Sequence, residues 1–260
     1  MTYRHIRLDL ADRVATITLA RPERLNALVP SLFDEASHAI DAALEQGARA
    51  LVITGEGRAF CSGADLHGEG DDALPEDLGA IIDRAYNPFS RKIAALDVPV
   101  VTAVNGLAAG AGCGLALLGD IVVMARSAYL LLAFVNIGLV PDAGATWLVA
   151  KGAGRAKALE MALLGEKLAA DQAHEAGLVT RVVDDGSVLE QAQAIAAKLA
   201  AGPTVAIGMI RRQVAAALSQ TLDETLDAER DNQRVAGRTA DFREAVAAFA
   251  EKRKPQFEGR

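Results

Sequence analysis

Asp142 is the one charged residue of the fourteen-residue run FVNIGLVPDAGATW (134–147). A carboxylate among apolar and small residues has to be paired, capped, protonated or used in chemistry. Two uses fit the local sequence. Placed just before AGATWLV, Asp142 can sit in the first turn of a helix, where the dipole favours an acid. Alternatively it is used in chemistry, where apolar surroundings would raise its pKa.

The other candidates are two glycine-rich corners, each following an apolar run: FCSGADL (60–66) after RALVITG, and NGLAAGAGCG (105–114) after VPVVTAV. Glycine allows backbone shapes that other residues resist, and the second corner opens a helix whose first N–H groups lack internal partners. Two such amides converging on one oxygen form an oxyanion hole, each donor worth roughly 3 kcal/mol in the transition state. Tight turns in a packed α/β protein are the other reading of each corner. Familiar motifs are missing. His5, His38, His67 and His174 are scattered, and Cys61 and Cys113 lack a second ligand at metal-binding spacing. GAGCG (110–114) reads G-x-G-x-G, whereas a dinucleotide fingerprint needs G-x-G-x-x-G.

These residues need elements to hold them. YRHIRLDL and VATITLA alternate apolar and polar residues and predict a hairpin. SLFDEASHAIDAALEQG predicts a helix with Ser31 as N-cap and Asp34 as its capping-box partner. RALVITG, VPVVTAV and DIVVMA predict buried strands, and AAGAGCGLALL a short helix after the Asn105-Gly106 turn. The loop GEGRAFCSGADLHGEGDDALPED is too long to be inert, and a helix follows it from about Asp77 to Leu96. From Gly154 onward the pattern is helical, interrupted only by a short strand in GLVTRVVDD, and charge pairs near Glu224 and Arg230 mark a solvated helix face. The fold class is α/β, with β–β–α turns followed by a helical C-terminal third.

Bulk properties narrow the function. The 260 residues carry a net charge of −7, which disfavours nucleic-acid binding. Two cysteines point to a reducing, cytoplasmic home rather than a disulfide scaffold, and the N-terminus lacks the apolar core of a signal peptide. Residues 98–119 hold no charge and mimic a membrane span. Pro99, Asn105 and the β-branched run favour a buried strand–turn–helix instead.

The motifs RPERLNAL, AFCSGADL, AVNGLAAGAGCGLALLGDIVVMARSA and GLVPDAGATW, followed by AHEAGLVTRVV, resemble the enoyl-CoA hydratase/isomerase (crotonase) superfamily along the whole chain. The resemblance implies a crotonase-like spiral of ββα turns over residues 1–200 and a C-terminal helical trimerisation region over 201–260, assembled as trimers or pairs of trimers. It implies an acyl-CoA thioester as substrate, no separate cofactor, no metal, and the amides of Ala64 and Ala111 as the oxyanion hole. Substrate contacts are implied for Arg24, Leu25, Ala27, Ser62, Gly63, Asp65, Leu66, Tyr86, Gly110 and Phe134. Asp65 also suits a bracing role in its loop, and Tyr86 and Phe89 suit either an aryl pocket or plain core.

Typical hydratases of this superfamily hold water between two glutamates. The matching positions here are Gly114 and Phe134, neither of which can activate water. The chain resembles instead the epoxyphenylacetyl-CoA isomerases of phenylacetate breakdown, through YNP (86–88), AGAG (109–112), AF (133–134), GLVPD (138–142) and the tail ERDNQRVAGRTADFREAV. That resemblance implies isomerisation of a ring epoxide or of an enoyl-CoA double bond, with Asp142 as the base. Two alternatives stand beside it. A hydratase would draw its acid from Glu69 or Asp71 in the long loop, and a non-catalytic member would bind acyl-CoA without turning it over.

Overall fold

Alternation of apolar and polar residues in IRLDLA and VATITL builds an antiparallel hairpin, β1 (Ile6–Ala11) and β2 (Val14–Leu19), with Ile6 opposite Leu19. The structure is a computed structural model that describes residues 2–68 and 70–260. Beyond the hairpin come the apolar parallel strands β3 (Ala50–Gly55), β5 (Val100–Val104) and β7 (Ile121–Ala125), then β10 (Arg181–Val183), giving a six-stranded sheet in the order β1-β2-β3-β5-β7-β10. β3 and β5 are buried at every position, as parallel strands covered on both faces must be.

A second, four-stranded sheet, β4 (Ala59–Cys61), β6 (Leu107–Ala109), β8 (Tyr129–Leu131) and β9 (Leu168–Ala169), runs in the order β4-β6-β8-β9. The sequence reading lacked this sheet: it placed Ala59–Cys61 in the long loop and began a helix at Ala108. Strands of two or three residues are too short to display a period. They make the spiral. β3 and β4, β5 and β6, and β7 and β8 each contribute one strand to each sheet before the chain departs into a helix.

The helices are α1 (Pro30–Glu45), α2 (Leu78–Ile81), α3 (Asn87–Ala95), α4 (Ala111–Leu117), α5 (Ala145–Leu164), α6 (Ala170–Glu175), α7 (Val188–Ala200), α8 (Thr204–Ala217), α9 (Leu222–Ala236) and α10 (Ala240–Glu251). Ser31 is not the N-cap of α1. Val29 holds that position with Pro30 at N1, and the Ser31 hydroxyl donates instead to Asp72 at 2.8 Å. Proline is favoured at N1 because its missing N–H has no partner to lose there. The helix expected from Asp77 begins as read, with the Asp77 carboxylate accepting from Gly79 N–H, but a π-helical turn at Ile82–Tyr86 divides it into α2 and α3. α7 lies across β3, β5 and β7, with Ala192, Ala196 and Ala200 buried against them. Among the described residues no single helix is long and apolar enough to cross a membrane.

Candidate active site

The first corner is anchored by the RPERLNAL loop. Leu25 and Asn26 are left-handed (φ 52° and 56°), and the Asn26 amide explains why that shape persists. Its Oδ1 accepts from Arg21 N–H at 3.0 Å while its Nδ2 donates to the carbonyls of Glu56 and Ala59 at 2.9 and 2.8 Å. Arg21 then donates to the Ala27 carbonyl and pairs with Asp65 at 2.7 Å. Burial alone would raise the Asp65 pKa. The Arg21 hydrogen bond, the His67 amide and the charges of Arg21 and Arg24 outweigh it and hold the carboxyl below its usual value.

Both Asp65 oxygens are thus engaged by protein groups, so its side chain braces the corner. Removing one partner of a buried pair leaves the other charge uncompensated. Arg21→Ala is therefore expected to lower stability by about 3–5 kcal/mol, read as a drop in the denaturant midpoint.

Ala64 sits opposite Leu28 in an isolated parallel bridge. The bonds of that bridge come from its neighbours, with Leu28 N–H donating to Gly63 at 2.7 Å and Asp65 N–H donating to Leu28 at 2.9 Å. The Ala64 N–H therefore points away from Leu28, since amides alternate sides along an extended chain. Arg24 is exposed, Leu66 is exposed, and Leu25 and Ser62 are half-buried. Ser62 N–H donates to the Leu25 carbonyl, which ties the 24–28 loop to the 62–66 corner.

The second corner turns at Gly110 (φ 54°, ψ −129°), whose N–H is held by the Leu131 carbonyl of β8 at 2.9 Å. Ala111 is the first residue of α4, so its N–H has no carbonyl four residues back. The two corners touch. A Cβ added to Gly63 would meet Ala109 O at 2.8 Å and Ala111 N at 3.4 Å, and one added to Gly112 would meet Cys61 O at 2.4 Å. Among the described residues, neither the Ala64 nor the Ala111 amide donates to another protein group.

The third rim comes from the segment after β8. Phe134 lies buried in a 3-10 turn (Ala133–Ile137), its Cζ 3.9 Å from where a Cβ on Gly110 would stand. Farther on, Ala143 and Gly144 are both left-handed (φ 49° and 78°), and Gly144 is the N-cap of α5. Asp142 therefore precedes the cap and is not a first-turn residue, which removes the helix-dipole explanation for its charge. Left-handed alanine is unfavourable by about 1–2 kcal/mol, so the packing around it must hold it there.

Asp142 is half-buried, and its Oδ1 is buried with no hydrogen-bond partner among the described residues. Burial pushes its pKa up to about 6. The phenol of Tyr86 is raised too, first by burial and then by the Asp142 charge. The Tyr86 ring packs on Phe33 (4.6 Å between centroids), as Phe89 does (5.3 Å). These aromatics belong to the core behind the site. Cys61 and Cys113 are fully buried thiols pushed up to about 12 by desolvation, and His174 is tied to the Val179 carbonyl at 2.8 Å. The alternative acid Glu69 and the side chain of Asp71 lie outside the described residues.

The family resemblance implies a substrate contact for Arg24, and nothing in it points to Arg21, the cation that pairs with Asp65. The signal was available: Asp65 is a lone acid inside FCSGADL, and a buried carboxylate needs a cation. The left-handed Ala143 had no such signal.

Comparison with known proteins fits this geometry. The enoyl-CoA hydratase/isomerase family model matches residues 9–260. The 1,2-epoxyphenylacetyl-CoA isomerase of Escherichia coli K12 is 48% identical over 250 residues, covering 95% of each chain. The 2,3-dehydroadipyl-CoA hydratase of the same organism is 34% identical, covering 96% of each. The crystal structure of an enoyl-CoA hydratase from Polaromonas sp. JS666 superposes with a TM-score of 0.91 at 34% identity, over 97% of this chain and 99% of that one. The spiral of ββα turns with its helical C-terminal region is thus the crotonase fold, and the chain belongs to the enoyl-CoA hydratase/isomerase family.

Proposed function

We propose that the protein isomerises acyl-CoA thioesters, with Asp142 as the single base and the Ala64 and Ala111 amides as the oxyanion hole. One observation carries this reading. A carboxyl whose Oδ1 is buried without a partner among the described residues stands in a site that has glycine at 114 and phenylalanine at 134. In the proposed cycle the Asp142 carboxylate takes a proton from C2 of the thioester. The C–H electron pair moves to the carbonyl oxygen, and the two amides hold the resulting enolate. Collapse of the enolate then opens a ring epoxide or shifts a double bond. Asp142 returns a proton farther along the conjugated system, so atoms balance without an oxidant or a second substrate.

The 48% identity to an epoxyphenylacetyl-CoA isomerase supports the ring-epoxide form of this reaction, and Phe134 gives the site an apolar wall. The exposed apolar residues of the C-terminal helices, among them Ile210, Val214, Leu222, Phe242 and Phe249, favour the trimer or pair of trimers that the family resemblance implies, with residues 201–260 as its trimerisation region.

Exchange of C2 hydrogens for deuterium, on a 3-enoyl-CoA in heavy water, tests the reading. Rapid exchange with shift of the double bond to C2 is expected. Accumulation of 3-hydroxyacyl-CoA from a 2-enoyl-CoA would instead make the protein a hydratase, and tight binding with no exchange would make it a non-catalytic member. The pH profile follows from the raised carboxyl. The base must be ionised, so exchange is expected to fall as pH drops through about 6, about two units above the limb an ordinary aspartate would give.

A further inference from the structure

Gly114 lies inside α4 and is buried, in a helix interior where glycine is a poor choice. Its surroundings supply a reason. A Cβ added there would meet Ala143 O at 2.7 Å, Ala143 Cβ at 3.0 Å and Ala143 C at 3.3 Å. Those are atoms of the residue that follows Asp142, and two of them are backbone, so they cannot swing aside. Ala143 is also the left-handed, non-glycine residue of this turn, and it is 6% exposed. The turn is closed by Ala145 N–H donating to the Asp142 carbonyl at 2.9 Å, which leaves it little freedom to retreat.

We propose that Gly114 and Ala143 act together as a steric selector: the bare Cα of Gly114 seats the left-handed turn after Asp142 against α4, so any side chain at position 114 forces that turn, and the Asp142 carboxylate with it, to shift. The inference rests on the function proposed above and deepens it. It makes Gly114 and Ala143 positioning residues that commit the site to one carboxylate. A side chain at 114 and the Asp142 turn compete for the same volume, so an acid added to α4 displaces the carboxylate already there.

Among the described residues no charged neighbour contributes to the raised pKa of Asp142, and its charge reaches the Tyr86 phenol. Moving the turn toward water therefore shows up as a falling acid limb. Gly114→Ala is expected to lower kcat for C2 exchange by about 10- to 100-fold, the effect of displacing a reacting group by an ångström or so. KM should change little, and the acid limb should move down from about 6. Adding Ala143→Gly removes one of the opposed methyl groups and frees the turn, and should recover part of both losses.

A folded Gly114→Ala protein with parental exchange and an unmoved limb would overturn the proposal. So would a loss of activity with the limb unmoved and no recovery in the double variant. Should Gly114→Ala fail to fold, the double variant with Ala143→Gly carries the test, since it relieves one of the opposed contacts, and its failure to fold as well would overturn the proposal. A several-fold lower kcat with a lowered limb supports the selector, and parental behaviour overturns it. Failure of the functional reading looks different, because Asp142→Asn would then retain exchange.

Discussion

Asp142→Asn should lose about 10²–10⁴-fold in C2 exchange, the usual contribution of a positioned general base, while acyl-CoA binding holds. Asparagine has the shape of aspartate but cannot accept the proton. Among the described residues nothing nearby replaces it. Positions 114 and 134 carry glycine and phenylalanine, Asp65 is locked to Arg21, and burial holds the Tyr86 phenol in its neutral form. Exchange measured by mass spectrometry alongside the dissociation constant separates the two effects. Exchange at the parental rate would remove Asp142 from its role.

The same variant should be the more stable protein at neutral pH. The folded carboxyl titrates near 6, the unfolded one near about 3.9. Below both values the two states hold the proton equally and the site imposes no penalty. Between them the unfolded chain ionises while the folded one keeps its proton, so stability falls as pH rises, and above 6 the loss is complete. Allowing for partial exposure, it amounts to on the order of 1–2 kcal/mol. Asp142→Asn should then unfold at higher denaturant than the parent above pH 6 and match it below the unfolded value. A group that destabilises the fold and is indispensable to turnover is the usual signature of a functional residue.

This trade-off explains why Asp142 stood out in the sequence: an unpartnered carboxylate in an apolar run conflicts with folding, and such conflicts concentrate at working sites. Apolar strands such as VVTAV and ALVITG were equally legible, because length and burial give them continuous hydrophobic runs. The second sheet was not. Its strands are recruited by their neighbours, Ala108 and Ala109 of β6 by Leu130 and Leu131 of β8, and no local period announces that. The corners could be found from their glycines, whereas their contact depends on Gly63, Gly110 and Gly112 packing across the spiral. Least legible was Ala143. Alanine says nothing about a positive φ, and only Gly114, twenty-nine residues earlier, makes room for it.

Ala111→Pro should cost about 10²–10³-fold in kcat, the price of one oxyanion donor, with a nearly intact fold. The substitution is chosen for its position. Ala111 is the first residue of α4, where proline is well tolerated because the amide has no helical partner. Gly110 precedes it at φ 54° and ψ −129°, a positive-φ shape open to glycine, and having no Cβ it avoids much of the clash that proline imposes on the residue before it. Ala111→Gly serves as the counterpart, losing a buried methyl group while keeping the N–H. If the donor matters, proline should abolish most exchange while glycine retains most of it. Equal losses in the two variants would assign the effect to the methyl group and its packing, and the enolate oxygen would then have to be held by something other than the Ala111 amide.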